Sequence, residues 1–497
     1  MQQSDINTLA QSIKITHQAF INDEYVNACR EQTFSVFNPA TGNHLAEVAR
    51  CDQQDINRAV VAARAAFNRG SWSKADPEFR KSVLLKLADL VRQHADELAV
   101  LECLNTGKTI TDCMHEIGTD VPNFLQWYAE LADKYFGKVP QTGRSSIALI
   151  TREPVGVAGL VVPWNFPLLM ATWKVAPALA VGCSVVVKPA EETPLTALKF
   201  AELARQAGVP AGVFNVVPGF GHEAGEALGR HPDVDVISFT GSTEVGRLFM
   251  KYSGESNLKG ISLEMGGKSP FIVLDDACIN DDLIEHAATA AFWNAGQNCS
   301  ANMRQIIAKP LVEAFSHAIL ERVAKYTVGD PLSLETDLGC MISETHHARV
   351  SKYIESGKAQ GAKPLTSVLE PVSGNFINPT VFSNVTKEMT IAKDEIFGPV
   401  LGIMSVDDLD SAIALAKDTD YGLHATIFTQ DIDRALHVAR ELPCGTVSIN
   451  GFTEGDIKTP FGGYKQSGSL ARDNGTEAIE QYLQTKTIWI CTKSVGV

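Results

Sequence analysis

The chain has 497 residues, 45% hydrophobic and 20% charged, with a formal net charge of −15 and a pI near 5.3. That is globular composition on a length too great for one small core, so two or more domains are expected. The acidic balance repels phosphate backbones and argues against a nucleic-acid partner, while mildly favouring cationic ligands at long range. The ten cysteines form no CxxC pair and no Cys/His cluster at zinc spacing. No metal site is therefore expected, and scattered thiols in so long a chain read as reduced and cytoplasmic. Met1 to Lys14 lacks a basic start followed by an apolar core, so no secretory leader is expected. The most apolar window, Leu168 to Val187, contains Lys174, Pro177 and Gly182. It reads as a buried core segment and not as a membrane span.

Residues 53–104 are helical by pattern, with stripes at Ala59, Ala62, Ala63, Ala66, Phe67 and at Leu84, Leu87, Leu90, Val91. Ser146–Arg152 alternates apolar and polar residues, as a half-exposed antiparallel strand would. A regular rhythm follows: strand Val155–Val162, helix Leu168–Ala180, strand Ser184–Val187, helix Leu195–Ala207, strands Val213–Val217 and Val234–Phe239. Such alternation implies right-handed crossovers and a parallel sheet covered on both faces, with ligands beyond the carboxyl ends of the strands. After Ser269 the alternation resumes: strand Phe271–Leu274, helix Leu283–Asn294, strand Arg304–Lys309, helix Leu311–Tyr326. Leu483–Cys491 alternates like Ser146–Arg152, and the two could pair within one subunit or extend a sheet across subunits.

Four motifs carry possible chemistry, each with a plainer alternative. Phe239 to Gly246 follows a strand and precedes a helix, so Gly241 and Ser242 suit a phosphate approached at a helix N-terminus, or an ordinary serine-capped turn. Lys188 and Glu191, three residues apart past a strand, could bind the hydroxyls of an adenosine ribose. They could equally be a surface lysine and a capping glutamate. Glu264, before Gly266-Gly267, is a candidate general base or a salt-bridged glutamate. Cys299 follows Gly296-Gln297-Asn298 and is a candidate nucleophile or a small buried hydrophobe. With Asn165 in Pro163-Trp164-Asn165-Phe166-Pro167 as an amide donor, a thiol, a base and an oxyanion donor outline one reaction class.

From about residue 20 onward the chain resembles the NAD(P)-dependent aldehyde dehydrogenase superfamily. The resemblance rests on those segments together with Lys188-Pro189-Ala190-Glu191, Leu263-Glu264-Met265-Gly266-Gly267-Lys268, Glu395-Ile396-Phe397-Gly398-Pro399 and Pro460-Phe461-Gly462-Gly463, all in the family's order. It implies an aldehyde dehydrogenase-like α/β fold. A Rossmann-type cofactor domain would occupy 1–131 and 155–266, a catalytic α/β domain 267–466, and a small antiparallel oligomerisation element 132–154 and 467–497. It implies NAD as cofactor, favoured over NADP by Glu191, and a homodimer or homotetramer. Cys299 matches the nucleophile, Glu264 the general base, and Asn165 the side chain that holds the oxyanion with the Cys299 N–H. Trp164, Lys188, Glu191, Gly221, Gly225, Gly241, Ser242, Glu395 and Phe397 match cofactor positions. The implied reaction passes through a thiohemiacetal and a thioester on Cys299. One stretch departs: the family's Ser-Gly-x-Gly-Arg-Glu reads Ser467-Gly468-Ser469-Leu470-Ala471-Arg472-Asp473, with one residue extra or shifted. That puts a role for its carboxylate in doubt.

Within the superfamily the chain looks most like the bacterial aminoaldehyde branch, which oxidises γ-glutamyl-γ-aminobutyraldehyde, guanidinobutyraldehyde and related products of polyamine breakdown. Asp120, Glu454 and Asp456 are candidate anchors for an ammonium or guanidinium, or simply solvated loop acids. Phe166, Trp173 and Phe461 match aromatic tunnel positions. Betaine aldehyde or a broad range of aliphatic aldehydes is the rival substrate class. A non-catalytic relative and an esterase using the same thiol are the other readings. The first would be expected to lack Cys299, Glu264 or Asn165; the second would need no Lys188, Glu191 or Ser242.

Overall fold

The computed structural model describes residues 1–366 and 374–492. The valine-rich runs do form buried parallel strands. In the first sheet the order is Gly260–Glu264, Val236–Thr240, Val157–Val161, Ser184–Lys188, Phe214–Val216, Ala19–Ile21, Glu24–Val26, the first five parallel. The chain starts at Val157–Val161, steps twice to one side, then returns to place Val236–Thr240 on the other. That reversal opens a crevice past the ends of the two central strands. Helices Gln53–Arg69 and Thr243–Gly254 cover one face, burying Ile56, Ala59, Val60 and Phe249 against Val161 and Ile237. Helices Pro77–Gln93, Ala95–Thr106, Val121–Leu131, Pro167–Val181 and Leu195–Ala207 pack on the other.

The stretch 53–104 is not one helix. Asp52 caps the first helix by accepting from the Gln54 N–H, and Gly70 closes it with φ +83°. Asp76 and Pro77 then start a second helix, and a third begins after His94. Each such cap is worth about 1 kcal/mol, enough to break a continuous apolar stripe into separate helices. Helix Pro167–Val181 is buried on every side, as its largely apolar sequence requires, with Lys174 its one charged residue, and Gly182 ends it at φ +102°.

Between Glu264 and Pro270 the chain crosses into a second sheet, of order Lys363–Pro364, Thr380–Ser383, Val400–Val406, Arg304–Ala308, Pro270–Val273, His424–Phe428, Thr446–Ile449. All but the short first strand run parallel. Helices Asp281–Phe292 and Val312–Val323 cover one side, with Phe292 and Phe315 fully buried. Residues 367–373 of the expected catalytic domain and 493–497 of the expected oligomerisation element lie outside the described residues.

Ser146–Pro154 and Leu483–Cys491 pair with each other, antiparallel and unbroken, from Leu483 opposite Pro154 to Cys491 opposite Ser146. The pairing is therefore made within one chain. The Leu483–Cys491 strand is exposed over almost its whole length. Among the described residues no helix is long and apolar enough to cross a membrane.

Candidate active site

Cys299 sits at the end of a tightly wired loop. Helix Asp281–Phe292 stops two residues earlier than its apolar pattern suggests, because Asn294 and Ala295 turn left-handed at φ +51° and +52°. Gly296 follows at φ +70°, and a Cβ there would meet the Gly398 carbonyl at 2.5 Å. Such backbone persists only where surrounding bonds fix it. They do: the Asn165 Nδ2 donates to the Gln297 carbonyl at 3.0 Å, and the Asn294 Nδ2 donates to the same carbonyl and to that of Asn165, both at 3.2 Å. Gln297 in turn donates to the Cys340 carbonyl at 3.1 Å and accepts from the Ile342 N–H at 3.1 Å. Asn165, past the end of a strand of the first sheet, thus reaches across and holds the Cys299 loop of the second.

Cys299 is half-buried and lines a cavity of about 550 Å³. Its thiol is held well above the usual range, first by burial and then by the carboxylates of Glu454, Glu395 and Glu264. Five of the other cysteines are buried, and none of them lines this cavity.

Glu264 ends its strand inside the same cavity, buried, with Oε2 lacking any hydrogen-bond partner. It makes no ion pair among the described residues, so it is not a salt-bridged structural glutamate. Burial and the Asp473 charge push its carboxyl well up, against the pull of Lys174 and Arg472. A carboxylate desolvated in this way is a stronger base than one in water.

Asp473, in doubt from the sequence, also lines the cavity. The irregular stretch pairs along the sheet edge, Met265 N–H to Ser467 O at 2.7 Å and Ser469 N–H to Leu263 O at 3.0 Å. The surplus is absorbed around Leu470, which is 99% exposed. Asp473 then returns to the wall, where its carboxylate accepts from Lys174 at 2.8 Å and from Gln481 at 3.0 Å.

The residues expected to hold a dinucleotide surround the crevice of the first sheet. Ser242 does cap helix Thr243–Gly254, accepting from the Val245 N–H at 3.3 Å, so the capping alternative is realised. A Cβ on Gly241 would strike the Phe239 ring at 2.6 Å, and Thr240 Oγ1 is buried without a partner beside it. Lys188 is buried, not a surface lysine, and its Nζ pairs with Glu191 at 2.8 Å. Glu191 does not cap helix Leu195–Ala207. Its other oxygen faces the Gly221 N–H at 3.5 Å, at the start of the Gly221–Gly225 turn. It lines a neighbouring cavity of about 620 Å³ that shares Glu192, Ile342 and Ser343 with the first. Glu395 accepts from the Gly267 N–H at 3.0 Å, and burial raises its carboxyl to about 7. Phe397, at φ +61°, sets its ring edge-on to Trp164, 5.3 Å between centroids. The glycine cradle, the unpartnered hydroxyl and the aromatic wall fit a flat, polyhydroxylated phosphate ligand.

Of the expected substrate residues, Phe166, Trp173, Phe461 and Glu454 line the cavity, with Trp173 and Phe461 in edge contact at 5.3 Å. Asp120 and Asp456 do not line it. Asp120 sits on the Glu116–Asp120 turn near His115, and Asp456 is an exposed loop acid 3.6 Å from Lys458. Among the described residues no cluster of His, Cys, Asp or Glu is placed to hold a metal ion.

With this geometry in place, comparison with known proteins is decisive. The family model described as the aldehyde dehydrogenase family matches residues 25–488. The chain belongs to the aldehyde dehydrogenase family. This aldehyde dehydrogenase is 49% identical to the aminoacetaldehyde dehydrogenase of Pseudomonas aeruginosa over 97% of each chain. The structure of a γ-glutamyl-γ-aminobutyraldehyde dehydrogenase from Burkholderia cenocepacia matches it with a TM-score of 0.97 at 44% identity, covering 99% of this chain and 100% of the other. An indole-3-acetaldehyde dehydrogenase in complex with NAD+ also matches with a TM-score of 0.97, at 42% identity and the same coverage.

Some of the dehydrogenase's cavity was not legible beforehand. His346 packs its ring against Trp164 at 5.3 Å and its Nε2 lies 2.6 Å from the Phe397 carbonyl, and Arg349 lines the same wall. Both lie on helix Glu344–Ala359, whose sequence shows only a Ser343 cap and an amphipathic surface. Trp293 and Met170 complete the apolar lining, neither within a motif.

Proposed function

We propose that this enzyme uses NAD to oxidise an aldehyde whose other end carries a cationic amino group, such as aminopropanal, aminobutanal or a γ-glutamyl or guanidino relative. The observation that carries the reading is Glu454, a carboxylate that lines the same cavity as Phe166, Trp173 and Phe461 and is hydrogen-bonded to Asn298, next to Cys299. The aromatic side chains suit an aliphatic chain, and a carboxylate facing the same space suits a cation. Two of the relatives named above act on aminoaldehydes, which supports the same reading.

In the proposed reaction the Cys299 thiolate attacks the aldehyde carbon. Asn165 Nδ2 spends one hydrogen on Gln297 and has a second for the oxyanion, to which the Cys299 N–H also donates. NAD, when bound, supplies a hydride acceptor, and Lys188, Glu191, Gly221, Gly225, Gly241, Ser242, Trp164, Glu395 and Phe397 are the residues proposed to hold it. Hydride loss leaves a thioester on Cys299. Glu264 then takes a proton from water, and the hydroxide attacks the thioester carbon to release the acid. The exposed Leu483–Cys491 strand is proposed to mediate a homodimer or homotetramer, and the free state of all ten thiols is consistent with a cytoplasmic enzyme.

The test is kcat/KM for 3-aminopropanal, 4-aminobutanal and γ-glutamyl-aminobutanal against hexanal. The aminoaldehydes are expected to win by on the order of tenfold or more, the scale of one charge-assisted contact. Equal or better use of hexanal overturns the reading. Betaine aldehyde in the same panel decides between a primary and a quaternary ammonium.

A further inference from the structure

Glu454 does more in this structure than face the cavity. Its Oε1 accepts from the Asn298 Nδ2 at 2.7 Å and from the Ser300 hydroxyl. These are the residues on either side of Cys299. Asn298 Oδ1 also accepts from the Ser300 N–H at 3.2 Å, so the three residues form one knot around the nucleophile. The loop that carries Glu454 is itself fixed: Thr453 O accepts from His424 Nε2 at 2.8 Å, and the Phe452 N–H donates to His286 Nδ1 at 3.2 Å. Among the described residues no hydrogen bond engages the second oxygen, Oε2, of this cavity-lining carboxylate.

We propose that Glu454 links recognition of a cationic substrate to the readiness of Cys299. One carboxylate oxygen holds the Asn298–Ser300 loop in place. An alkylammonium group seated on the other oxygen offsets the negative charge beside the thiol, so that the thiolate forms when the correct substrate head is bound. The S–H bond breaks with its electron pair staying on sulfur, and the proton leaves to water. Glu454 is thereby a positioning and specificity residue. The proposal rests on the cationic-aldehyde reading above.

The surrounding charges agree with this assignment. The groups that act on the Cys299 thiol are Glu454, Glu395 and Glu264, all acidic. Glu454 is the largest of the three influences, after burial itself. Lys108 acts on Glu454, but its Nζ is committed to Glu116 at 2.6 and 2.8 Å. Each of these three carboxylates disfavours the thiolate.

The experiment follows alkylation of Cys299 by iodoacetamide as a function of pH, read as carboxamidomethyl mass on its peptide. Matched ionic strengths of sodium chloride and methylammonium chloride are compared. Methylammonium is expected to move the midpoint of the wild-type profile down by about one pH unit, the scale of one neighbouring opposite charge. Occlusion by the ligand lowers the plateau rate and leaves the midpoint alone, so the two effects separate. Glu454→Gln keeps an oxygen for Asn298 and Ser300 but loses the charge. Its midpoint is expected to start lower and to ignore methylammonium. An unmoved wild-type midpoint, or an equal shift in Glu454→Gln, overturns the proposal. If aminoaldehydes still beat hexanal in that case, the substrate reading survives its loss; if hexanal matches them, the substrate reading is what has failed.

Discussion

At the scale of single residues, the cavity around Cys299 is marked by its acids and by how little positive charge offsets them. Glu264, Glu395, Glu454 and Asp473 line one cavity, and among the described residues only Asp473 of the four has an ion-pair partner, Lys174 behind the wall. Glu264 is pushed up first by burial and next by Asp473. A carboxyl with a raised pKa is protonated, and useless as a base, below that value; its base form grows as pH rises through it. Thioester hydrolysis, and kcat where hydrolysis limits it, is therefore expected to climb with pH over that window. Asp473→Asn removes the like charge and leaves the Lys174 charge unpaired, and both changes favour ionised Glu264. The rising limb of kcat against pH is expected to move to lower pH in Asp473→Asn, checked on protein whose folding is verified by its melting temperature. A limb that stays put, or moves to higher pH, contradicts this account of Glu264.

At the scale of elements, two nine-residue strands far apart in sequence make the most exposed sheet of the molecule. Ile488, Trp489 and Ile490 lie along it, with Trp489 59% exposed, and Ile147 stands on its partner strand. A long unprotected edge with apolar side chains invites pairing with another chain. Trp489→Lys is expected to shift sedimentation of the enzyme toward smaller species, and a wild-type enzyme that sediments as a monomer overturns the proposed assembly. This element was visible in the sequence through its period-two alternation, although Leu483–Cys491 is exposed on both faces and not on one as that alternation suggested. The parallel strands were visible for the opposite reason, since burial on both faces leaves unbroken valine-rich runs such as Val185–Val187. The breaks within 53–104 were not, because an apolar stripe continues through a turn while the caps at Asp52, Asp76 and Gly70 carry the interruption. The Lys174–Asp473 pair was also hidden, for its members lie 299 residues apart and meet only when the C-terminal stretch folds back along Gly260–Glu264.

At the scale of the whole molecule, the site exists because two sheets present different loops to one space. The first supplies Asn165, Ser242 and Glu264 from its strand ends; the second supplies Cys299, Glu395 and Glu454 from its loops. The order of the motifs along the chain made Cys299, Glu264 and Asn165 legible as a set. It left the acids near the substrate ambiguous, because Asp120, Glu454 and Asp456 look alike until the fold turns only Glu454 into the cavity. The central claim is that Cys299 carries a thioester that Glu264 discharges. Its most direct test is rapid mixing of Glu264→Gln with NAD and an aldehyde substrate, followed by acid quench and peptide mass analysis. The account predicts a burst of about one NADH per active site, slow turnover afterwards, and an acyl adduct on the Cys299 peptide that is absent from Cys299→Ala. Loss of the burst in Glu264→Gln, or near-normal turnover in Cys299→Ala, would contradict it.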